Sequence, residues 1–362
     1  MDQATTTKPR LSATQQSAVG AAYPNGNLAA GFNPPGARNT DSAAPMRPNG
    51  PINHNYDSNG PAPGNLAFRW TYGSNVAAKN RDPRVQVVQY NEDTFVMRQN
   101  VCIHWEAPFT YLLFGNAGAL LIDTGATAEA QYYPIRATVD AIIARWCQAR
   151  RRRSIPLTVV HTSGEDVAQS SAAGQFEGRA ATRIAPKTLA AMKQFHGLGA
   201  SWPTSTATFD LGNRIVDVIP TPGAHKDGIS FYDRYTRLLM TGDLLFPGKI
   251  NISNDREYVV SLERLVRWKD RHPVKWVMGG HVEMMFVPGK VYPRFANYKP
   301  YERVLQMVPA LIEEALTYAL EVQGKDMMLI RPDFILLNGV SPDQRTDVWP
   351  EGVPNISPPR PF

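Results

Sequence analysis

Five short stretches of the 362-residue chain set histidine or carboxylate within two residues of a glycine, each directly after an apolar run. They are Leu121-Ile122-Asp123-Thr124-Gly125, Val159-Val160-His161-Thr162-Ser163-Gly164-Glu165-Asp166, Thr221-Pro222-Gly223-Ala224-His225, Thr241-Gly242-Asp243 and Met278-Gly279-Gly280-His281. Imidazole and carboxylate are the groups a divalent metal takes from a protein. A metal with one position left to water lowers the pKa of that water to about 7, which makes hydroxide available at neutral pH. Without a metal, the same side chains serve as general acids and bases.

Such residues act together only if the fold brings them together. In α/β proteins, loops leaving the carboxyl ends of strands hold ligands, because the strands fix where each loop starts. Periodicity predicts strands at Val85–Tyr90, Thr94–Met97, Tyr111–Phe114, Ala119–Ile122, Leu157–Val160, Thr206–Leu211, Arg214–Ile219, Ile229–Asp233, Leu238–Thr241, Lys275–Met278 and Asp333–Leu337. Helices are expected at Ala128–Cys147, Pro186–Phe195, Val259–His272 and Tyr301–Gln323. Hairpins and strand-helix-strand units in this order make mixed sheets covered by helices. Each of the five stretches then falls in a loop leaving a strand.

Composition narrows the classes. Two cysteines, Cys102 and Cys147, are too few for a disulfide scaffold and read as inert. No segment reaches the roughly 20 apolar residues that span a bilayer. No apolar signal-peptide core is visible near the N-terminus, so the working placement is cytoplasmic, with a cleaved leader left open. The net charge of +6 includes the run Arg150–Arg153. This run follows a predicted helix and reads as a solvated helix end rather than a nucleic-acid surface, since no reader motif accompanies it. Residues 1–66 carry nine of the 30 prolines with almost no apolar periodicity. They read as an extended or disordered N-terminal arm, with Tyr23, Phe32 and Tyr56 able to lie along the body, ahead of one domain at 67–362.

The order and spacing of the five blocks resemble the metallo-β-lactamase fold superfamily, with its LIDTG turn, HxHxDH loop, PGH loop, TGD loop and late GH. The resemblance covers about residues 85–285. It implies an αββα sandwich of two mixed sheets flanked by helices, and a divalent metal site. By that likeness His161 matches the first histidine of HxHxDH and His225 the PGH histidine, with Ala224 inserted. Asp243 matches the carboxylate that bridges two ions, and His281 the late histidine. The chain departs from the pattern in one block: Ser163 stands for the second histidine, Glu165 for the aspartate and Asp166 for the final histidine. The expected metal ligands are thus His161, Asp166, His225, Asp243 and His281. They suggest one ion rather than two, zinc first, with manganese or iron favoured by the added oxygen ligands.

Three readings follow. In the first, Asp166, Glu165 and Asp243 carry catalysis in a metal-dependent hydrolase of a small, partly apolar ester, lactone, amide or activated halide. In the second, the metal is lost and the chain is a binding or structural homologue. In the third, Glu165 or Asp166 is a general base in metal-free hydrolysis. Asp123 is expected to brace backbone rather than bind metal. His54 and His196 read as surface residues, His272 as a helix-end residue, and His104 as core packing or the wall of a substrate mouth. The aromatic run from Met284 to Tyr301 suits either a small-molecule pocket or a homodimer face; no membrane or nucleic-acid partner is expected.

Overall fold

A computed structural model describes residues 50–341 apart from 58, 59, 68, 165 and 166. Sheet one runs in the order β1 (Val85–Asn91), β2 (Thr94–Gln99), β3 (Phe109–Phe114), β4 (Ala119–Ile122), β5 (Leu157–Val160) and β6 (Thr182–Ile184). It is antiparallel from β1 to β4 and parallel from β4 to β6. Sheet two contains β7 (Ala207–Asp210), β8 (Ile215–Pro220), β9 (Ile229–Asp233), β10 (Leu238–Gly242), β12 (Trp276–Gly279) and β13 (Gln306–Met307), with β10 parallel to β12. A third, smaller sheet places β15 (Ile335–Asn338) between β11 (Lys249–Ile252) and β14 (Met327–Ile330).

Alternation along the strands builds the layers, since successive side chains leave opposite faces. On β3 and β4, Tyr111, Leu113, Leu120 and Ile122 join Val216, Val218, Phe231 and Met240 between the two sheets. Their neighbours Leu112 and Leu121 face outward, under Val139, Ile142, Ile143 and Trp146 of α1 (Ile135–Ala149). The outer face of sheet two packs Ile219, Tyr232 and Leu239 against α3 (Asp255–Arg271) and α4 (Leu311–Val322), through Leu262, Leu265, Ile312 and Ala315. Burying each such aliphatic side chain stabilises the fold by about 1.5 to 3 kcal/mol. The result is the αββα arrangement. A short helix, α2 (Leu189–Phe195), follows β6.

Two polar links hold the sheets in register. Arg214, fully buried, binds both carboxylate oxygens of Asp233 at 3.0 and 2.6 Å and donates to the carbonyls of Asp93 and Phe114 and to Thr94 Oγ1 in sheet one. Near the site, the Tyr111 hydroxyl donates to Gly279 O and Phe109 N donates to Gly280 O, both at 2.8 Å. These bonds fix the end of β12 against β3.

Several expectations are corrected. The first long helix starts at Ile135, because Pro134 ahead of it cannot supply an interior helix N–H. The last starts at Leu311: Gln306 and Met307 pair with β12, and Pro309 disfavours helix at the residue before it. His196 is buried, with ring contacts to Phe195, Phe209 and Phe231. His54 is partly buried and its Nε2 meets the Tyr235 hydroxyl at 2.8 Å. His272, by contrast, is the helix-end residue expected: it caps α3 and stacks on Trp268. The described part of the arm is docked: Ile52 N donates to Arg150 O, Ala62 N donates to Tyr235 O, and buried Tyr56 meets Tyr235 edge-on. Tyr23 and Phe32 lie outside the described residues. Arg150, in the basic run, binds Asp93 at 2.8 Å and Glu92 at 3.1 Å, so part of that run ties a helix end to sheet one.

Candidate active site

Three of the predicted residues come together where strands of sheet two end. His225 lies in the loop from β8 to β9, Asp243 directly follows β10, and His281 lies two residues beyond β12. Asp243 is the hub. Its Oδ2 meets His225 Nε2 at 3.2 Å and its Oδ1 meets His281 Nδ1 at 3.4 Å. On its other side, His281 Nε2 lies 3.4 Å from Glu283 Oε1. Glu283 is held in turn by Lys249 N at 2.8 Å. The sequence TGD works here because Gly242 lets the loop pass Thr162: a Cβ at Gly242 would come within 2.5 Å of the Thr162 side chain.

A cavity of about 170 Å³ opens on this group, lined also by Trp105, Glu106, Phe246, Lys249 and Arg294. Glu106 Oε2 is buried with no hydrogen-bond partner, and His104 Nδ1 is 3.9 Å away. Burial pushes the Glu106 carboxyl up to about 7, reinforced by Asp243 and Glu283 and opposed by His281 and Lys299. Burial alone would lower the pKa of His281, yet its two carboxylate neighbours raise it to about 10. Burial likewise opposes ionisation of Asp243, but hydrogen bonds from His225 and His281 hold its carboxyl well below the usual range.

The LIDTG turn braces the site from beneath. Asp123, at φ 63°, accepts from Thr162 N at 2.9 Å and Thr162 Oγ1 at 2.8 Å, the bracing role expected of it. Thr124 N and Gly125 N donate to the carbonyl of Gln169 at 2.8 and 2.9 Å. Gln169 then turns its amide to the centre: Nε2 donates to Asp243 Oδ1 at 2.7 Å and lies 3.4 Å from His281 Nδ1.

The rest of the HxHxDH-like block is arranged differently. His161 is buried with neither ring nitrogen partnered; burial lowers its pKa to about 3, and the charges it feels are Lys187 and His196. It has no contact with Asp243 among the described hydrogen bonds and ion pairs. Ser163 Oγ donates to Asp227 Oδ1 at 2.6 Å and Gly164 N to Asp227 Oδ2 at 2.7 Å, so the hydroxyl is committed to the loop. Glu165 and Asp166 lie outside the described residues. Among the described residues, no three His, Cys, Asp or Glu side chains form a metal-binding group. The fold generally binds divalent metals, usually zinc, but the described donors of this chain do not fit a two-ion cage. They offer two imidazoles on one shared carboxylate, and one oxygen of that carboxylate already accepts an amide.

Glu106, Gln169, Asp227 and Glu283 carry no motif. Glu283 had a local signal, two residues after His281. Glu106 and Gln169 had none, because what places them is packing between the sheets.

Residues 152–281 match the family model described as the metallo-beta-lactamase superfamily. A Gallus gallus protein named acyl-coenzyme A thioesterase MBLAC2 is 35% identical over 92 residues, 24% of this chain and 33% of that protein. The Homo sapiens protein of the same name is 29% identical over 93 residues, 25% of this chain and 33% of that protein. The matches therefore span about a third of these relatives' length. Among solved structures, a metallo-beta-lactamase from Pontibacter korlensis aligns over 65% of this chain and 99% of its own, at 17% identity and a TM-score of 0.42.

Proposed function

We propose that this chain, whose residues 152–281 match the metallo-beta-lactamase superfamily model, is a hydrolase of a small, partly apolar ester or thioester, acting in the cavity around His225, Asp243 and His281. The observation that carries this reading is the Asp243–His225 pair on the wall of that cavity. A carboxylate that holds one imidazole nitrogen leaves the other to take a proton from water, the orienting logic shared by hydrolytic dyads and triads.

The other side chains have complementary tasks in this reading. Lys249 and Arg294 line the same cavity and bring positive charge to where a carbonyl oxygen becomes negative. Glu106, with its pKa near neutrality, hands a proton to the leaving group. Trp105 and Phe246 give the apolar wall. The thioester is placed first because two relatives that match part of the chain are named as acyl-coenzyme A thioesterases. No step is assigned to a metal, since no three His, Cys, Asp or Glu side chains among the described residues form a metal-binding group.

One observation favours a second reading, a homologue that binds without turnover: Ser163 and Gln169 have committed to hydrogen bonds the positions where metal ligands or ions would be expected. The two readings separate on full-length protein offered acyl-thioesters and aryl esters. Hydrolysis that disappears in His225→Ala supports the enzyme; saturable binding with no product supports the alternative.

A further inference from the structure

We propose that the side-chain amide of Gln169 takes the place of the second metal ion of the centre, so that Asp243 is held between His281 and a neutral hydrogen-bond donor instead of a cation. This assignment rests on reading the cavity as the active site, and it makes Gln169 a positioning residue. Its nitrogen completes a triangle with Asp243 Oδ1 at 2.7 Å and His281 Nδ1 at 3.4 Å, while those two atoms are themselves 3.4 Å apart. That third corner is where a cation would reach both the carboxylate and the imidazole. An amide there points a positive hydrogen at Asp243 Oδ1 and sets its nitrogen 3.4 Å from the imidazole, so it satisfies the carboxylate oxygen a cation would take and repels an arriving ion.

The surroundings are built to hold the amide. Gln169 is 2% exposed, so its side chain has no route to solvent. Its backbone carbonyl is pinned by Thr124 N and Gly125 N, which fixes the start of the side chain. Gly280 leaves the space that the pair fills: a Cβ there would lie 3.0 Å from Asp243 Oδ1 and 3.3 Å from Gln169 Nε2. Glu283 occupies the far nitrogen of His281, so the ring is held from both sides by protein groups.

The test counts ions on the full-length chain, purified without a metal-binding tag, stripped with a chelator and titrated with Zn²⁺. Gln169→Glu replaces the donor with a carboxylate beside Asp243, an arrangement that calls for a cation. Wild type is expected to take fewer than two ions per chain, and Gln169→Glu one more than wild type. Zn²⁺ should also raise the melting temperature of Gln169→Glu more than that of wild type. If Gln169→Glu does not fold, Gln169→Ala vacates the same corner without adding charge, and Zn²⁺ should again raise its melting temperature more than that of wild type. Two ions on wild type, or the same ion count and the same Zn²⁺ response in wild type and the folded variant, would overturn the assignment. Neither readout depends on hydrolysis, so failure of the proposed enzymatic activity would be seen separately.

Discussion

Asp243 Oδ2 and His225 Nε2 meet at 3.2 Å although they arrive on separate loops, one leaving β8 and the other leaving β10. Backbone on both sides enforces the meeting: Gly242 lets Asp243 pass Thr162, and Gly223 N donates to His225 O in the tight loop that presents the ring. A pair that far apart in sequence holds its geometry only because sheet two is rigid beneath it. The consequences are testable at the pair itself, at the groups around it and in the core that supports it.

Glu106 should set a pH limb on activity. Its carboxyl sits near 7 and faces His104, His281, Asp243, Glu283 and Lys299. Acting as a proton donor, it loses its function as pH rises through about 7, so kcat should fall above that point. In Glu106→Gln this limb should vanish, and the rate should drop about 10²- to 10⁴-fold on esters with poor leaving groups and less on activated ones. A pH-rate profile that is unchanged in the variant contradicts the role.

Acid should destabilise the fold through buried neutral histidines. Burial lowers His161 from 6.5 to about 3 and His196 from 6.5 to about 4. Between those values and 6.5 the unfolded chain binds more protons than the folded one, so stability rises with pH across the window and is lost as the solution is acidified. His196→Leu, which removes two unpartnered ring nitrogens from an aromatic surround, should stabilise the chain by about 1 to 3 kcal/mol and flatten that dependence. Chemical denaturation at pH 5 and pH 7.5 reads both effects.

Arg214 should be the most costly polar residue to remove from the inter-sheet core. Its replacement by alanine leaves Asp233 charged, buried and without its guanidinium partner, and frees the carbonyls of Asp93 and Phe114. A loss of about 3 to 5 kcal/mol is expected in urea unfolding. Arg214→Lys should recover only part of it, because an ammonium cannot reproduce the forked contact with both oxygens of Asp233.

Much of the fold was legible because its signals are local. Alternation along Tyr111–Phe114 and Ala119–Ile122 marks a half-inward, half-outward hairpin, and the loop glycines mark where strands end. Asp123, His225, Asp243 and His281 were readable for the same reason, each sitting within two residues of a glycine at a strand end. What escaped reading depends on distant contacts. Arg214 looks like any basic residue until sheet one closes over it. Nothing about His196 beside Phe195 shows that Phe209 and Phe231 will cover it. Gln169 gains its role only when the Thr124 and Gly125 amides and the open space at Gly280 turn it toward Asp243. The strands of the third sheet are too short, and β11 and β15 too far apart along the chain, for periodicity to join them.

The central claim is that the Asp243–His225 pair drives hydrolysis in this cavity, and the most direct measurement is steady-state turnover of a thioester and an aryl ester by wild type and Asp243→Asn. The substitution preserves shape and removes the charge that orients His225. Wild type should turn over at least one of the two substrates, and Asp243→Asn should lose about 10²- to 10⁴-fold in kcat with an unchanged circular dichroism spectrum. No turnover by wild type, or equal rates in the two proteins, would contradict the account.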